Sequence, residues 1–480
     1  MEILNQAAAL RRKRRWDAAI ELLTGESAAA VTGTEAWFVE LAKTYRVASR
    51  RQDARALLER ARKEIETPSI RVAEEEYYFH AFARDYENAL NSSERLTRID
   101  PSYAKGHFLK GKTLVRLTRF QQAREAFITG LRVAHDAPLE EVIERVESGL
   151  LATLGSRFRC ESEYVVGRGG NNLGILMHRV GSRQYITKIA QSPGPIDVGG
   201  NFYRNIVPRI PELRDVTPAY INSQRIEGIY YLTMEYVEGN ASIADDDAVE
   251  LAKRLARIGY AELQGVQGLS KPALLLVNRP TSLARFFGRL HRKSGTRALF
   301  KQLSGVLRAN EYPASMQRTT VELSKLVQRS RVFTLIDPER HYCLAHNDFR
   351  SGNLIGVNLE TPAKMIDCES VRIGQRFADL ASYFGCQQRP FEHFDSCFQR
   401  HESMRSVSVA ERVYLDLAFL YYSVLHAGAE GVAEIEETVV APAVSSIRRG
   451  VDDIRAARRV LERQDAEASP SVTEETKSGG

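Results

Sequence analysis

The stretch "LAHNDFRSGNLIG" places His346, Asp348, Arg350 and Asn353 within a few residues of one another, and Asp367 follows in "KMIDCES". Apolar residues at 354–357 and 363–366 flank a turn at 359–362, so a short hairpin is expected there. Such a hairpin would bring Asp348, Asn353 and Asp367 together. A carboxylate can orient or deprotonate an acceptor hydroxyl. An Asn carbonyl oxygen and an Asp carboxylate are hard ligands of the kind magnesium takes, with water and phosphate oxygens completing its shell. Moving a γ-phosphoryl group from a nucleotide to a hydroxyl needs these groups and a lysine on the phosphates. On this reading Asp348 is the base, and Asn353 and Asp367 are the metal ligands. An incidental polar surface loop is the other reading of the residues alone.

A phosphate site must be supplied upstream. From Tyr164 the sequence "EYVVGRGGNNLGILMHRVGSRQYITKIA" reads as three short strands, with a glycine-dense turn after the first and a Gly181–Ser182 turn after the second. Gly167, Gly169 and Gly170 would let backbone N–H groups approach phosphate oxygens, although no GK[ST] follows and a P-loop is excluded. Lys188 stands among Ile186, Thr187 and Ile189. A lysine inside an apolar strand must snorkel to water or meet an anion. Further on, "YYLTMEYVEG" (230–239) reads as a buried strand with a polar exit.

Taken together, these residues resemble the aminoglycoside phosphotransferase and choline kinase superfamily. Its HxDxxxxN motif is matched by His346, Asp348 and Asn353, its "IDxE" by Ile366 to Glu369, and its "DLA" by Asp379 to Ala381. The resemblance spans about 156–460 and is strongest at 344–385. It implies a protein-kinase-like fold, ATP and Mg2+ as cofactors, and an enzyme of the small-molecule kinase type. It further implies that His346 and Asp379 support the loop structurally, and that Glu235 and Val237 receive the adenine edge through their backbone. The acceptor would be a small-molecule or glycan-type hydroxyl.

The motifs depart from those of protein kinases, since "DFG" becomes "DCE" and no APE segment is recognisable. Arg350 could contact an anionic acceptor or the γ-phosphate, or form a surface salt bridge. The glutamate that the family places on the helix after the lysine strand is not evident, because "GNFYRNIVPRI" offers Asn201, Tyr203, Arg204 and Asn205. A nucleotide-binding pseudokinase scaffold is therefore the alternative function. Residues 243–265 read as one amphipathic helix leading into an acceptor lobe. Arginines at 279, 285, 289, 292, 297 and 308 favour an acceptor of anionic character. The segment 410–465 is expected to be helical, with a polar, disordered tail from 465.

The first third repeats. Ala19, Ala54, Ala89 and Ala123 recur at intervals of 35, 35 and 34 residues, preceded three residues earlier by Trp16, Arg51, Tyr86 and Phe120. Stacked helical hairpins follow, with each alanine allowing close approach and the aromatic filling the groove beside it. The pattern resembles tetratricopeptide repeats, which would bind a protein partner. The expected architecture is an α+β bilobal protein-kinase-like domain preceded by an all-α tetratricopeptide-like helical repeat domain. Its divisions are 1–150 repeats, 156–239 N-lobe with the nucleotide site, 240–464 C-lobe with a helical acceptor-binding insertion, and 465–480 tail.

A net charge of +6 over 480 residues permits an anionic ligand without requiring nucleic acid. Five scattered cysteines suit a reducing compartment. No apolar run reaches the ~18 residues of a membrane span, and the N-terminus lacks the apolar core of a secretory signal. A cytoplasmic location is expected.

Overall fold

The structure is a computed structural model that describes residues 2–13, 15–48, 50–167, 172–192, 194–239, 243–265, 293–309, 312–356, 362–427 and 432–468. It divides into two compact units. One holds Met1–Ile196 with Ile221–Glu235, the other Asp197–Tyr220 with Tyr236–Gly480. The central sheet therefore goes with the N-terminal helices rather than with the C-terminal part.

The first unit begins with helices in antiparallel pairs: α1 (Glu2–Arg12) and α2 (Trp16–Thr24), α3 (Glu35–Val47) and α4 (Arg51–Glu64), α5 (Ile70–Phe82) and α6 (Tyr86–Ile99), α7 (Ala104–Arg116) and α8 (Phe120–His135). A further helix, α9 (Leu139–Leu154), leads into the sheet. The periodic alanines lie one on each second helix, and all four are fully buried. At these sites anything larger than a methyl would force the helices apart. The aromatic positions open the second helices, where Trp16 and Tyr86 are half-buried and Phe120 is 38% exposed. The close contacts come from glycines: a Cβ on Gly111 would sit 2.5 Å from the Phe127 ring, and one on Gly130 would sit 2.5 Å from Phe108. Arg11, from the basic run at the N-terminus, is held by Glu40 of α3 at 2.7 Å.

The sheet has strands β1 (Cys160–Val165), β2 (Gly174–Val180), β3 (Arg183–Gln191), β4 (Tyr220–Ile226) and β5 (Ile229–Glu235) in the order β1-β2-β3-β5-β4. The described pairings β1–β2, β2–β3 and β3–β5 are antiparallel. Side chains alternate along each strand. Tyr164, Leu176, Ile189 and Tyr231 share one core cluster with Phe108, Phe127, Leu131, Val142 and Val146 of α7, α8 and α9. Polar contacts join the same elements. His135 of α8 bonds the Tyr231 hydroxyl at 2.7 Å, and Asn222 donates to the carbonyl of Gly149 on α9 at 2.9 Å. The helical region and the sheet thus form one continuous core.

The second unit is mostly helical, with two small antiparallel ladders, β6 (Tyr342–Ala345) with β9 (Arg372–Gln375), and β7 (Leu354–Ile355) with β8 (Lys364–Met365). The region expected as one helix over 243–265 is two, Asp245–Arg257 and Tyr260–Gly265. The apolar helix Val409–His426 is the centre of this unit and packs on Ala378–Cys386 and Ala441–Ala468. Its start is fixed by a capping box between Ser408 and Glu411. Phe394 stacks on its Phe419 with centroids 4.7 Å apart. The last helix reaches Ala468, into the segment expected as a tail. In chain order an all-α region comes first, then a five-stranded sheet, then this mostly helical part, an α+β succession. Among the described residues no helix is long and apolar enough to cross a membrane.

Candidate active site

Strand β6 ends at Ala345, so the chain turns out of the ladder at His346. Its partner β9 leads to the helix Ala378–Cys386, whose first turn carries Asp379. One Asp379 oxygen accepts the backbone N–H of His346 at 2.8 Å and the other that of Asn347 at 2.9 Å. Asp379 is 5% exposed. Burial pushes its carboxyl up, while His346, the two backbone donors and Arg372 pull the other way. The loop therefore begins with both of its first N–H groups fixed to one carboxylate.

His346 is fully buried, and both ring nitrogens are engaged. Nε2 lies 2.8 Å from the carbonyl of Ile366, which can only accept, so Nε2 carries the proton. Nδ1 then accepts the N–H of Asp348 at 3.3 Å. This ring spans from the loop to the strand before Asp367. Asn347 and Asp367 both adopt left-handed backbone conformations, with φ of 63° and 60°. Asn and Asp tolerate that region better than bulkier residues.

Asn353 closes a short turn, Ser351–Asn353, and is 5% exposed. Its amide nitrogen donates to the Asp348 carbonyl at 2.8 Å and to Asp348 Oδ2 at 2.9 Å. Both amide hydrogens are thereby spent on Asp348, which leaves Oδ1 as the ligand atom. The expected hairpin is present. Leu354 pairs with Met365, and the Ile366 N–H donates to the Asn353 carbonyl at 2.8 Å. Asp348 and Asn353 are in direct contact, and Asp367 comes directly after Ile366, whose N–H is bonded to Asn353. Arg350 Nε lies 3.2 Å from Asp348 Oδ1, with the arginine side chain 54% exposed.

In the first unit Lys188 lies mid-strand in β3, opposite Ile175 and Leu232, and is 7% exposed. Gly167 follows β1, and Gly169 and Gly170 lie outside the described residues. Gly174, which the sequence reading did not single out, is required by close approach: at φ 146° its Cβ would stand 2.4 Å from the Tyr164 ring. Glu235 ends β5, and Val237 follows, half-buried, in the second unit. The helix after β3 runs Pro195–Asn201 and continues through one wide turn, Phe202–Ile206. It contains no glutamate, and Asp197 sits in its first turn. Arg279, Arg285, Arg289 and Arg292 lie outside the described residues.

Residues 202–405 match the model of the phosphotransferase enzyme family. The matched segment covers less than half of the chain. It contains every candidate catalytic and metal-binding residue named above. No curated protein matches the chain. Solved structures similar to it include a macrolide 2'-phosphotransferase from Brachybacterium faecium (12% identity, 63% of this chain and 98% of that one, TM-score 0.38). Two others are an ethanolamine kinase from Plasmodium vivax (13%, 61% and 84%, 0.33) and an aminoglycoside phosphotransferase from Streptomyces rimosus in complex with ADP and streptomycin (14%, 59% and 98%, 0.33).

The second unit also contributes residues that no motif announced. Cys386 ends the helix that carries Asp379. Burial raises its thiol to about 11, with a hydrogen bond to Ser382 opposing, Asp348 raising it further and Arg350 lowering it. His426 ends the central helix, and its imidazole is pushed down by burial and then by Arg350, against Asp348. Both lie within the electrostatic reach of the Asp348–Arg350 pair, yet they are distant from it in sequence. Tyr203 donates its buried hydroxyl to Cys368 Sγ at 3.2 Å and so ties the helical segment before β4 to the residue after Asp367.

Proposed function

We propose that the protein is an ATP-dependent phosphotransferase that moves the γ-phosphoryl group to a hydroxyl of a small-molecule or glycan-type acceptor, with Mg2+. The observation that carries this is the double donation from Asn353 to Asp348. It fixes a carboxylate at the start of the loop and turns the one remaining polar atom of the asparagine, Oδ1, to ligation. A scaffold has no need of that arrangement beside a second aspartate.

The donor set fits magnesium: one amide oxygen and one carboxylate, both hard, with room for water and phosphate oxygens. When bound, the ion neutralises charge on the phosphates. Asn353 and Asp367 would hold it. Asp348 orients the acceptor hydroxyl and takes its proton. Lys188 is assigned to the nucleotide phosphates, with backbone N–H groups near Gly167, Gly169 and Gly170 as further donors. The backbone at Glu235 and Val237 is assigned to the adenine edge. His346 and Asp379 hold the loop. Arg350, paired with Asp348 Oδ1 at 3.2 Å, is assigned to an anionic acceptor or to the γ-phosphate. A tetratricopeptide-like partner surface on α1–α8 and a cytoplasmic location belong to the same proposal.

A nucleotide-binding pseudokinase scaffold is the second reading, favoured by the helix Pro195–Asn201, which lacks a glutamate. Thermal unfolding with and without millimolar Mg-ATP tests nucleotide binding. Ligand at about 100 times its Kd adds ~2.7 kcal/mol. Phosphorylation of a metabolite pool by wild type but not by Asp348→Asn then separates enzyme from scaffold. A nucleotide shift with no product in either protein would favour the scaffold.

A further inference from the structure

The face of the sheet that lies against the helices carries polar chemistry that the phosphotransferase reading does not use. Cys160 and Ser162 of β1 and His178 of β2 point to this face, and Glu147 reaches it from α9. One ligand atom from each of Glu147, Cys160 and His178 falls within 4.8 Å of the others. The Cys160 thiol lies 3.9 Å from His178 Nδ1, and the Ser162 hydroxyl lies 2.6 Å from the same nitrogen. Cys160 and His178 are 7% and 2% exposed, and Glu147 is half-buried. We propose that Glu147, Cys160 and His178 form a site for a zinc-type divalent cation that pins α9 to strands β1 and β2.

Three observations support it. The first is distance. Tetrahedral zinc with a thiolate at ~2.3 Å and imidazole and carboxylate at ~2.0–2.2 Å puts its ligand atoms roughly 3.3–3.7 Å apart. The Cys160–His178 separation needs to shorten by only a few tenths of an ångström. The second is the outer partner of the histidine. His178 Nε2 lies 2.7 Å from the Thr187 hydroxyl, which lies 2.7 Å from that of Thr233. With its proton on Nε2, the ring donates into this chain and presents the Nδ1 lone pair to Ser162 and Cys160. Ligating histidines are usually oriented by such a second bond. The third is charge. One thiolate, one carboxylate and one neutral imidazole around a divalent cation sum to zero, so the cluster can be buried without net charge. Glu147 makes no hydrogen bond or ion pair among the described residues. A mixed sulfur, nitrogen and oxygen set suits zinc over magnesium or calcium. Ser162 or a water fills the fourth position. The clamp fixes the helical region to the sheet that carries Lys188, on the opposite side from Thr187.

The test is cobalt titration of the full-length protein, stripped of metal and held in excess Mg2+. Cobalt is expected to bind at one equivalent with a thiolate-to-cobalt charge-transfer band that zinc abolishes. Oxygen ligands at the nucleotide site give no such band. Cys160→Ser should lose it, and Cys368→Ser, whose thiol lies next to Asp367, should keep it. If Cys160→Ser does not fold, Glu147→Gln on the half-exposed face of α9 serves instead, and should weaken cobalt binding about tenfold or more. Absence of the band in wild type, or a band unaltered by Cys160→Ser or, where that variant does not fold, by Glu147→Gln, would overturn the proposal. None of these readouts depends on phosphotransfer.

Discussion

Asp379 holds both N–H groups that begin the loop 346–353, taking His346 at 2.8 Å on one oxygen and Asn347 at 2.9 Å on the other. The two donors point at one buried carboxylate, so the amide of Asp379→Asn can satisfy only one of them. Its NH2 group then faces a second donor. A buried donor left without a partner costs about 1–3 kcal/mol. Asp379→Asn is expected to lower the unfolding free energy by that amount, read as a lower urea midpoint, and to reduce phosphotransfer as well, because Asp348 follows directly. An unchanged midpoint would mean that the ladder β6–β9 alone fixes the loop.

Asp348→Asn should leave fold and nucleotide binding intact and remove the base. The substitution keeps the contact with Asn353 through its carbonyl oxygen. General-base catalysis contributes roughly 10²–10⁴-fold, so turnover should fall within that range. The stabilisation by Mg-ATP should persist. If turnover falls by less than about tenfold, the proton leaves by another route.

Asp367→Asn and Asn353→Ala act on the proposed metal instead. Either should reduce the Mg-ATP shift, and raising Mg2+ should restore part of it for Asp367→Asn. Asn353→Ala also frees Asp348 Oδ2 and the Asp348 carbonyl, so its loss of activity should exceed that of Asp367→Asn at saturating Mg2+. Equal responses to Mg2+ in wild type and both variants would remove the two residues from the metal's shell.

The loop and its hairpin were legible in sequence because their determinants are local. Polar residues sit at fixed offsets between short apolar runs, and the pairing of those runs brings Asn353 to Ile366. The strand position of Lys188 was legible because its neighbours Ile186, Thr187 and Ile189 are strand formers. Cys386 and His426 were not, because the helices that carry them are read as ordinary core helices and only the packing of Ala378–Cys386 on Val409–His426 places them near Asp348. The periodic alanines gave the helix pairs. The aromatic three residues earlier falls at the helix start, half-buried at Trp16 and Tyr86 and more exposed at Phe120. The shared core of helices and sheet had no signal at all, since Leu176 and Tyr231 look like ordinary inward residues whatever covers them.

The central helix carries a pH dependence of stability. Asp416 is buried against Arg412 at 2.6 Å, and burial raises its carboxyl to about 6 despite that partner. The folded value lies above the ordinary aspartate value, so between the two the folded state binds more protons. Stability from this group is greatest below about pH 4 and falls as pH rises through about 6, by about 3 kcal/mol in total. Asp416→Asn should remove this fall, whatever the other carboxylates contribute. Parallel stability profiles for wild type and Asp416→Asn between pH 4 and 7 would show that Arg412 compensates the burial fully.

Removing residues 1–155 should not yield a folded kinase-like domain. Tyr164, Leu176, Ile189 and Tyr231 pack on α7–α9 with exposures of 5% or less. Stripping the helices would bare these side chains, each worth about 1.5–3 kcal/mol of burial. Four of them sum to about 6–12 kcal/mol, comparable with the whole ~5–15 kcal/mol stability of a domain. The buried column of Ser162, His178, Thr187 and Thr233 would be opened as well. The truncated chain is expected to be insoluble or to unfold without a cooperative transition. In the full chain Leu176→Ala should cost about 2–5 kcal/mol. That loss should appear equally in far-ultraviolet dichroism, which is dominated by the helices, and in near-ultraviolet signals from the tyrosines of the sheet. A soluble truncated domain with a sharp unfolding transition, or helices that melt unaffected by Leu176→Ala, would show that the two regions are energetically separate.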